Sequence, residues 1–437
     1  MKQSAHAASL SETGAEAARP AGSYRFFVLA MLILVYTFNF IDRQIIGILA
    51  GPIKAELALT DTQLGLMGGL AFALFYTALG IPIAWVADRT SRTWIMTIAL
   101  TLWSGFTALC GLAQSFWQLF LCRLGVGVGE AGGVAPSYSL IADYFPPHER
   151  ARALGVYSFG IPVGSALGIF LGGWIASAID WRTAFIAVGL MGVCLAPLFR
   201  LAVREPRRGG FDAAPKTAAE AGHASFGAAL RTLAAKPSFW ALSFGSASCS
   251  IMGYGLFFWL PSFFQRTYGL PLMDVSLFFG AIVLAGGVVG IWVGAWLGDR
   301  LGPGDPGAYA RIPAIAFVLA APCYAAGVLS SWLPLTFVLF LVPQALGLTW
   351  LGPIITAVQH LVAPNMRTTA SAIFLFINNL IGIGFGTVFL GALSDVLNAR
   401  FGEESLRYAI LTGLVFYLVS ASLFWFASKR LARDWHR

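Results

Sequence analysis

WVADRTSR, residues 85–92, returns far down the chain as WLGDRLG, residues 296–302. Each copy closes an apolar run and sets an Asp-Arg pair where that run would meet water. A second pair of copies lies downstream: PHERARA (147–153) and PNMRTTA (364–370) share Pro-x-x-Arg-x-x-Ala at an offset of 217 residues. The same offset pairs Pro136 with Pro353. Self-similarity on this scale reads as one structural unit used twice in the same orientation.

The apolar runs say what that unit is. The 437 residues are 58% hydrophobic and 11% charged, with mean hydropathy +0.75, whereas soluble domains carry about 25% charged residues. Runs repeatedly reach about 20 residues, enough to cross hydrocarbon at about 1.5 Å per residue. They fall at 25–52, 62–87, 93–114, 117–144, 151–178, 182–203, 238–265, 273–297, 311–330, 333–361, 368–396 and 407–428. The expected fold is an all-α membrane protein with twelve transmembrane helices in two pseudo-symmetric six-helix bundles. The polar interval 204–237 divides six runs from six. The expected organisation is an N-terminal tail (1–24), a first bundle (25–203), a linker (204–237) with a surface helix near 224–235, a second bundle (238–428) and a C-terminal tail (429–437).

Net charge +8 does not point to nucleic acid, because the basic residues form no single patch. With both termini cytoplasmic, most of the 28 Lys and Arg fall on the cytoplasmic side, the asymmetry of an inner-membrane protein. The first 24 residues lack a short apolar stretch with a cleavage site, so span 1 is expected to serve as the insertion signal. The five cysteines lie in predicted spans without metal-ligand spacing, as packing residues do. Of the histidines only His360 falls in a span, with nothing at catalytic spacing, and no P-loop occurs. These absences count against an enzyme, a metal site, a cofactor and a primary pump.

The repeated loops resemble the signature loop of the major facilitator superfamily and its second-half copy, although Ala84 and Ala295 stand where glycine is usual. RLGVGVG (123–129) matches the Arg-x-x-x-Gly-x-Gly pattern of its fourth helix. FNFIDR (38–43), RLGVGVGEAG (123–132), IADYFPPHERARALG (141–155) and GIPVGSALG (160–168) together resemble the Spinster branch. That resemblance implies alternating access and, from the branch's animal members, export of lysophospholipids or sphingoid phosphates. It also implies a cytoplasmic gate built from Asp88, Arg89, Arg92, Asp299 and Arg300, with Arg150 and Arg367 at repeat-related positions. An ordinary loop charge would explain Arg92 better than Asp88.

Four charges lie clear of both interfaces: Asp42 and Arg43 on span 1, Arg123 and Glu130 on span 4. A charge at the bilayer centre costs roughly 2.5–3.5 kcal/mol on insertion scales, so each needs a use. Arg123 and Glu130 are two helical turns apart and share a face, whereas Asp42 and Arg43 diverge by about 100°. One reading is an ion-pair network that merely locks span 1 to span 4. In the other, Arg43 binds an anionic headgroup, Glu130 titrates, and Asp42 pairs with Arg123 or Arg43 in one state and releases it in another. The Spinster resemblance favours the second, with Asp42, Glu130 and Arg123 coupling protons.

Spans 7–12 carry no clear mid-membrane charge. They offer polar groups such as Tyr254 and Asn378 as further substrate contacts, among abundant Phe and Trp. A cavity charged on one wall and apolar on the other suits an amphipath with one polar head. The expectation is a monomeric, proton-coupled secondary transporter of an anionic or zwitterionic lipid. The alternative is a proton-coupled carrier of drugs or soluble organic anions.

Overall fold

The computed structural model describes residues 22–87, 89–208, 226–363 and 366–435, and among these residues it contains helices and turns but no strand. Ten segments are long and apolar enough to cross a membrane. One of them, Thr369–Ser428, holds two passes, and the broken helix at 116–144 adds another, which makes twelve.

Spans 1–6 are Gly22–Ile48, Asp61–Ala87, Arg92–Cys110, Phe116–Glu130 continued by Val134–Tyr144, Arg152–Ala178 and Trp181–Ala202. Spans 7–12 are Pro237–Tyr268, Leu272–Leu301, Ala308–Leu329, Leu333–Gln359, Arg367–Phe401, and Ser405–Gly413 continued by Val415–Ser428. Short helices at Ala50–Leu57 and Phe226–Ala234 follow span 1 and precede span 7.

Local chemistry sets several boundaries. Ser91, Ser115 and Asp180 cap spans 3, 4 and 6 by accepting backbone N–H groups, and Thr60 with Gln63 forms a capping box on span 2. Span 1 stops at Ile48 rather than running to 52, because the ring of Pro52 displaces the carbonyl one turn back. The chain turns there into Ala50–Leu57. Span 11 runs on to Phe401, its polar last turns emerging from the apolar zone. In span 4 the Ala131–Gly132–Gly133 turn precedes Pro136, whose missing N–H leaves the Gly132 carbonyl without its usual partner. Glu130 therefore sits at the end of a helical segment, next to a hinge.

Spans 1–6 and 7–12 form the two halves, which meet mainly where span 2 packs on span 11, span 5 on span 8 and span 1 on span 7. Within the first half, span 5 lies so close to span 1 that a Cβ on Gly168 would fall 2.7 Å from the Ile41 carbonyl oxygen. That contact holds the backbone carrying Asp42 and Arg43 against a rigid neighbour.

Candidate functional site

Between the halves lies a cavity of about 40 Å³, lined by Phe40, Arg43, Phe72 and Arg123 from the first half and Tyr254, Phe257, Phe258 and Ile383 from the second. A single water needs at least about 10–15 Å³, so this space holds a few waters and no lipid headgroup.

Arg43 Nε donates to Glu130 Oε2 at 2.7 Å, with Glu130 fully buried. The guanidinium also lies 4.6 Å from the Tyr76 ring, 4.7 Å from Phe72 and 5.1 Å from Phe40. Such faces stabilise a desolvated cation by roughly 0.5–2 kcal/mol each. The other carboxylate is arranged differently. Asp42 is 1% exposed, its carboxyl set among Trp103, Thr107 and Arg123. Arg123 donates instead to the Asp42 backbone carbonyl, at 3.3 Å. Trp103 and Thr107 are the hydrogen-bonding side chains beside the Asp42 carboxyl. Asn39 stands in the same relation to Glu130.

Sequence reasoning missed a ladder of rings that leads to Arg43. Tyr138 meets Tyr157 edge-on at 5.7 Å, Tyr157 stacks on Tyr36 at 4.3 Å, and Tyr36 meets Phe40 at 5.2 Å. These residues come from spans 4, 5 and 1. Their separations in sequence give no period, so only the tertiary fold aligns them. The first half therefore carries aromatic as well as charged surface, and the contrast between the walls is narrower than expected. Of the second-half candidates, Tyr254 lines the cavity. Asn378 accepts from Ser250 Oγ at 2.9 Å and ties span 11 to span 7.

The second missed feature is a latch at the end of the bundle away from the termini. Asp61, first residue of span 2, is 2% exposed and receives both Arg266 amino groups at 2.7 Å, Lys54 Nζ at 2.6 Å and Ser394 Oγ at 2.8 Å. Asp395 of span 11 accepts from the backbone N–H groups of Asp61 and Thr62 at 3.1 and 2.7 Å. A carboxylate of one half thus caps a helix of the other, where the helix dipole favours negative charge. The halves are pinned at this rim. Thr387 Oγ1 donates across the seam to the Gly65 carbonyl at 2.7 Å, closer to the midplane.

A family model described as Major Facilitator Superfamily matches residues 32–387. This chain belongs to the major facilitator superfamily. It is 36% identical over 407 residues to an MFS-type efflux pump of Mycolicibacterium smegmatis, covering 93% of each chain. Protein spinster homolog 1 of Homo sapiens is 28% identical over 85% of this chain and 73% of its own length. The crystal structure of a bacterial homologue of the human lysosomal transporter Spinster, inward-facing and unoccupied, matches with TM-score 0.87 at 32% identity, covering 96% of this chain and 100% of that one. Within the superfamily the chain is a Spinster-like, multi-pass transporter, and not an enzyme.

The expected gate of this transporter is distributed as follows. Asp88 lies outside the described residues. Arg89 stacks 3.9 Å over Trp85 and donates to its carbonyl, while Arg300 lies 5.4 Å over Trp296. Arg150 Nε donates to the Phe145 carbonyl at 3.0 Å. Arg367 Nε has no hydrogen-bond partner. Asp299 is close enough to Tyr309 to act on it electrostatically. Arg92, the charge a plain loop role would explain best, is 1% exposed. It binds Asp143, the Ser139 hydroxyl at 2.7 Å and Glu205 at 2.7 Å. These partners clamp spans 3, 4 and 6 together inside the first half. Among the described residues, no cluster of three His, Cys, Asp or Glu is placed to hold a metal ion.

Proposed function

We propose that this transporter works by alternating access and is driven by protons. Its cargo is an amphipathic anionic or zwitterionic lipid of the lysophospholipid or sphingoid-phosphate class. The observation that carries the proposal is the Arg43–Glu130 pair at the cavity wall. A cation held by a carboxylate can exchange that partner for a substrate phosphate when the carboxylate takes up a proton. The apolar wall opposite, Phe257, Phe258 and Ile383, suits the chain of the same molecule.

Asp42 supplies the second proton-bearing group. Its carboxyl is buried beside Trp103, Thr107 and Arg123. In the other state Arg123, now on the Asp42 carbonyl, would turn to the carboxylate itself. The distribution of Lys and Arg favours cytoplasmic termini in an inner membrane. In that orientation the latch lies on the outer face, and the likeness to a homologue described as inward-facing supports reading this as a state shut on the outside. Asp88, Arg89, Asp299, Arg300, Arg150 and Arg367 would then be drawn together across the inner face when the halves rock the other way, with Arg92 remaining in its clamp inside the first half.

The likeness to an MFS-type efflux pump supports a second reading, export of amphipathic drugs through the same cavity. Flux of a labelled lysophospholipid into proteoliposomes, with and without a proton gradient, separates the readings. We expect gradient-dependent flux in the native protein, with the dependence abolished by Glu130→Gln. Gradient-dependent drug flux with no lysolipid flux would replace the substrate and keep the coupling. Undiminished dependence in Glu130→Gln would remove Glu130 from the coupling role.

A further inference from the structure

A second apolar recess lies outside the interface between the halves. It is a groove of about 380 Å³ on the flank of the second half, where the end of the linker helix Phe226–Ala234 meets spans 7 and 12. The volume falls in the range of small-molecule sites, roughly 300–1,000 Å³. Its floor is low because Pro237 and Ala241 are small, and its walls are Trp240, Phe244 and Phe426. Trp240 is fixed there, its Nε1 donating to the Ala234 carbonyl at 3.1 Å and its ring stacked 5.9 Å from Phe244. Phe244 is 45% exposed and Phe426 42% exposed, so the groove opens outward, toward lipid.

The rim is basic. Arg430 lies 4.3 Å over the Phe426 ring, at the lip of the groove. Arg231 is exposed and precedes Ala234, a groove residue, by one turn of the linker helix. Asp434, the nearby carboxylate in sequence, is occupied by the Ser238 hydroxyl at 2.7 Å and by Arg433 at 3.4 Å. An aromatic recess at the end of two spans, with Arg430 over its wall and Arg231 one helical turn from its edge, matches a lipid whose chain is apolar and whose head is negative.

We propose that this groove is a binding site for an anionic bilayer phospholipid. One acyl chain lies against Trp240, Phe244 and Phe426, and the phosphate is held between Arg231 and Arg430. The bound lipid fastens the linker helix to the second half. The site is independent of the transport cavity and of its substrate.

Native mass spectrometry of the full-length protein in detergent, titrated with phosphatidylglycerol, phosphatidylcholine or lysophosphatidylglycerol, tests the assignment. Phosphatidylglycerol should be retained in preference to phosphatidylcholine, with roughly fivefold of that preference lost for each of Arg231→Gln and Arg430→Gln. Ala241→Trp, which fills the floor, should lower retention of both two-chain lipids. Arg400→Gln, at the other end of the bundle, and Arg43→Gln, in the cavity, should leave retention of the two-chain lipids unchanged. Equal retention of the two head groups, or equal losses in Arg400→Gln, would overturn the site. Loss of phosphatidylglycerol retention in Arg43→Gln would assign the bound two-chain lipid to the transport cavity instead.

Discussion

Asp395 caps a helix that belongs to the other half of the molecule: its carboxylate accepts the Thr62 N–H at 2.7 Å and the Asp61 N–H at 3.1 Å. Asp61 in turn holds Arg266 through both amino groups. The two acids therefore face opposite halves, and the closed rim depends on both. Replacing Asp61 by Asn takes the counter-charge from Arg266 and Lys54, whose side chains are 21% and 35% exposed, so hydration recovers part of the loss but not the contact across the halves. That loss falls only on the conformation in which the rim is shut. Spin labels at Ala55 and Asp274, exposed near this rim on opposite halves, should report a longer distance population in Asp61→Asn. An unchanged distribution would show that the latch does not set the equilibrium.

The Arg43–Glu130 pair makes a prediction that an uncharged contact would not. Arg43→Gln and Glu130→Gln each strand a partner away from water, so each should lower thermal stability in detergent. The double variant leaves neither charge and should recover much of the loss, since paired removal of buried ions is often near neutral. A coupling energy on the order of 0.5–3 kcal/mol in the double-mutant cycle is expected. Strict additivity would mean that the two side chains do not act as a pair.

The spans could be read from the sequence because hydrocarbon imposes a length and excludes charge, and a long apolar run meets both demands almost anywhere along the chain. Asp42, Arg43, Arg123 and Glu130 stood out for the same reason. Their partners did not. Whether Arg123 reaches a carboxylate or a backbone carbonyl depends on how spans 1 and 4 are rotated, and spacing within one helix carries no record of that. The latch was hidden for a different reason. Asp61, Arg266 and Asp395 lie at span ends, where charged residues are ordinary, and only folding brings them together from three distant stretches. The Tyr138–Tyr157–Tyr36 ladder was hidden because aromatic residues are too common in this chain for any three to draw notice. Arg92 shows the opposite error, since its loop position concealed a fully buried clamp.

Gly65 tests how closely the halves must approach. A Cβ there would lie 2.5 Å from the Thr387 carbonyl oxygen and 2.9 Å from the Val388 Cα, both backbone atoms of the other half. Gly65→Ala should therefore prevent the rim from closing while each half still folds, with transport lost and the monodisperse protein retained. On the same span, Gly80 has no atom within 4 Å of its would-be Cβ. Gly80→Ala should be neutral in packing and up to about 1 kcal/mol more favourable in helix propensity. Chromatography and flux assays on the two variants distinguish a packing requirement from a general intolerance of change.

Glu205 provides a pH test outside the membrane. Partial burial acts to raise its carboxyl, but the Thr93 N–H, Arg92 and the Ser91 hydroxyl outweigh that and hold it below the usual 4.5. A group depressed on folding stabilises the folded state fully above its unfolded value and loses that contribution as the pH falls through the folded one. The native protein should therefore exceed Glu205→Gln in thermal stability at neutral pH, by about 1 kcal/mol after allowance for the exposed part of the side chain. Below 4.5 the difference should shrink, and it should vanish once Glu205 is protonated in the fold. If the difference persisted into strong acid, Glu205 would hold Arg92 by shape and neutral hydrogen bonds rather than by charge. If it were absent at neutral pH, the clamp would rest on Asp143 and Ser139 alone.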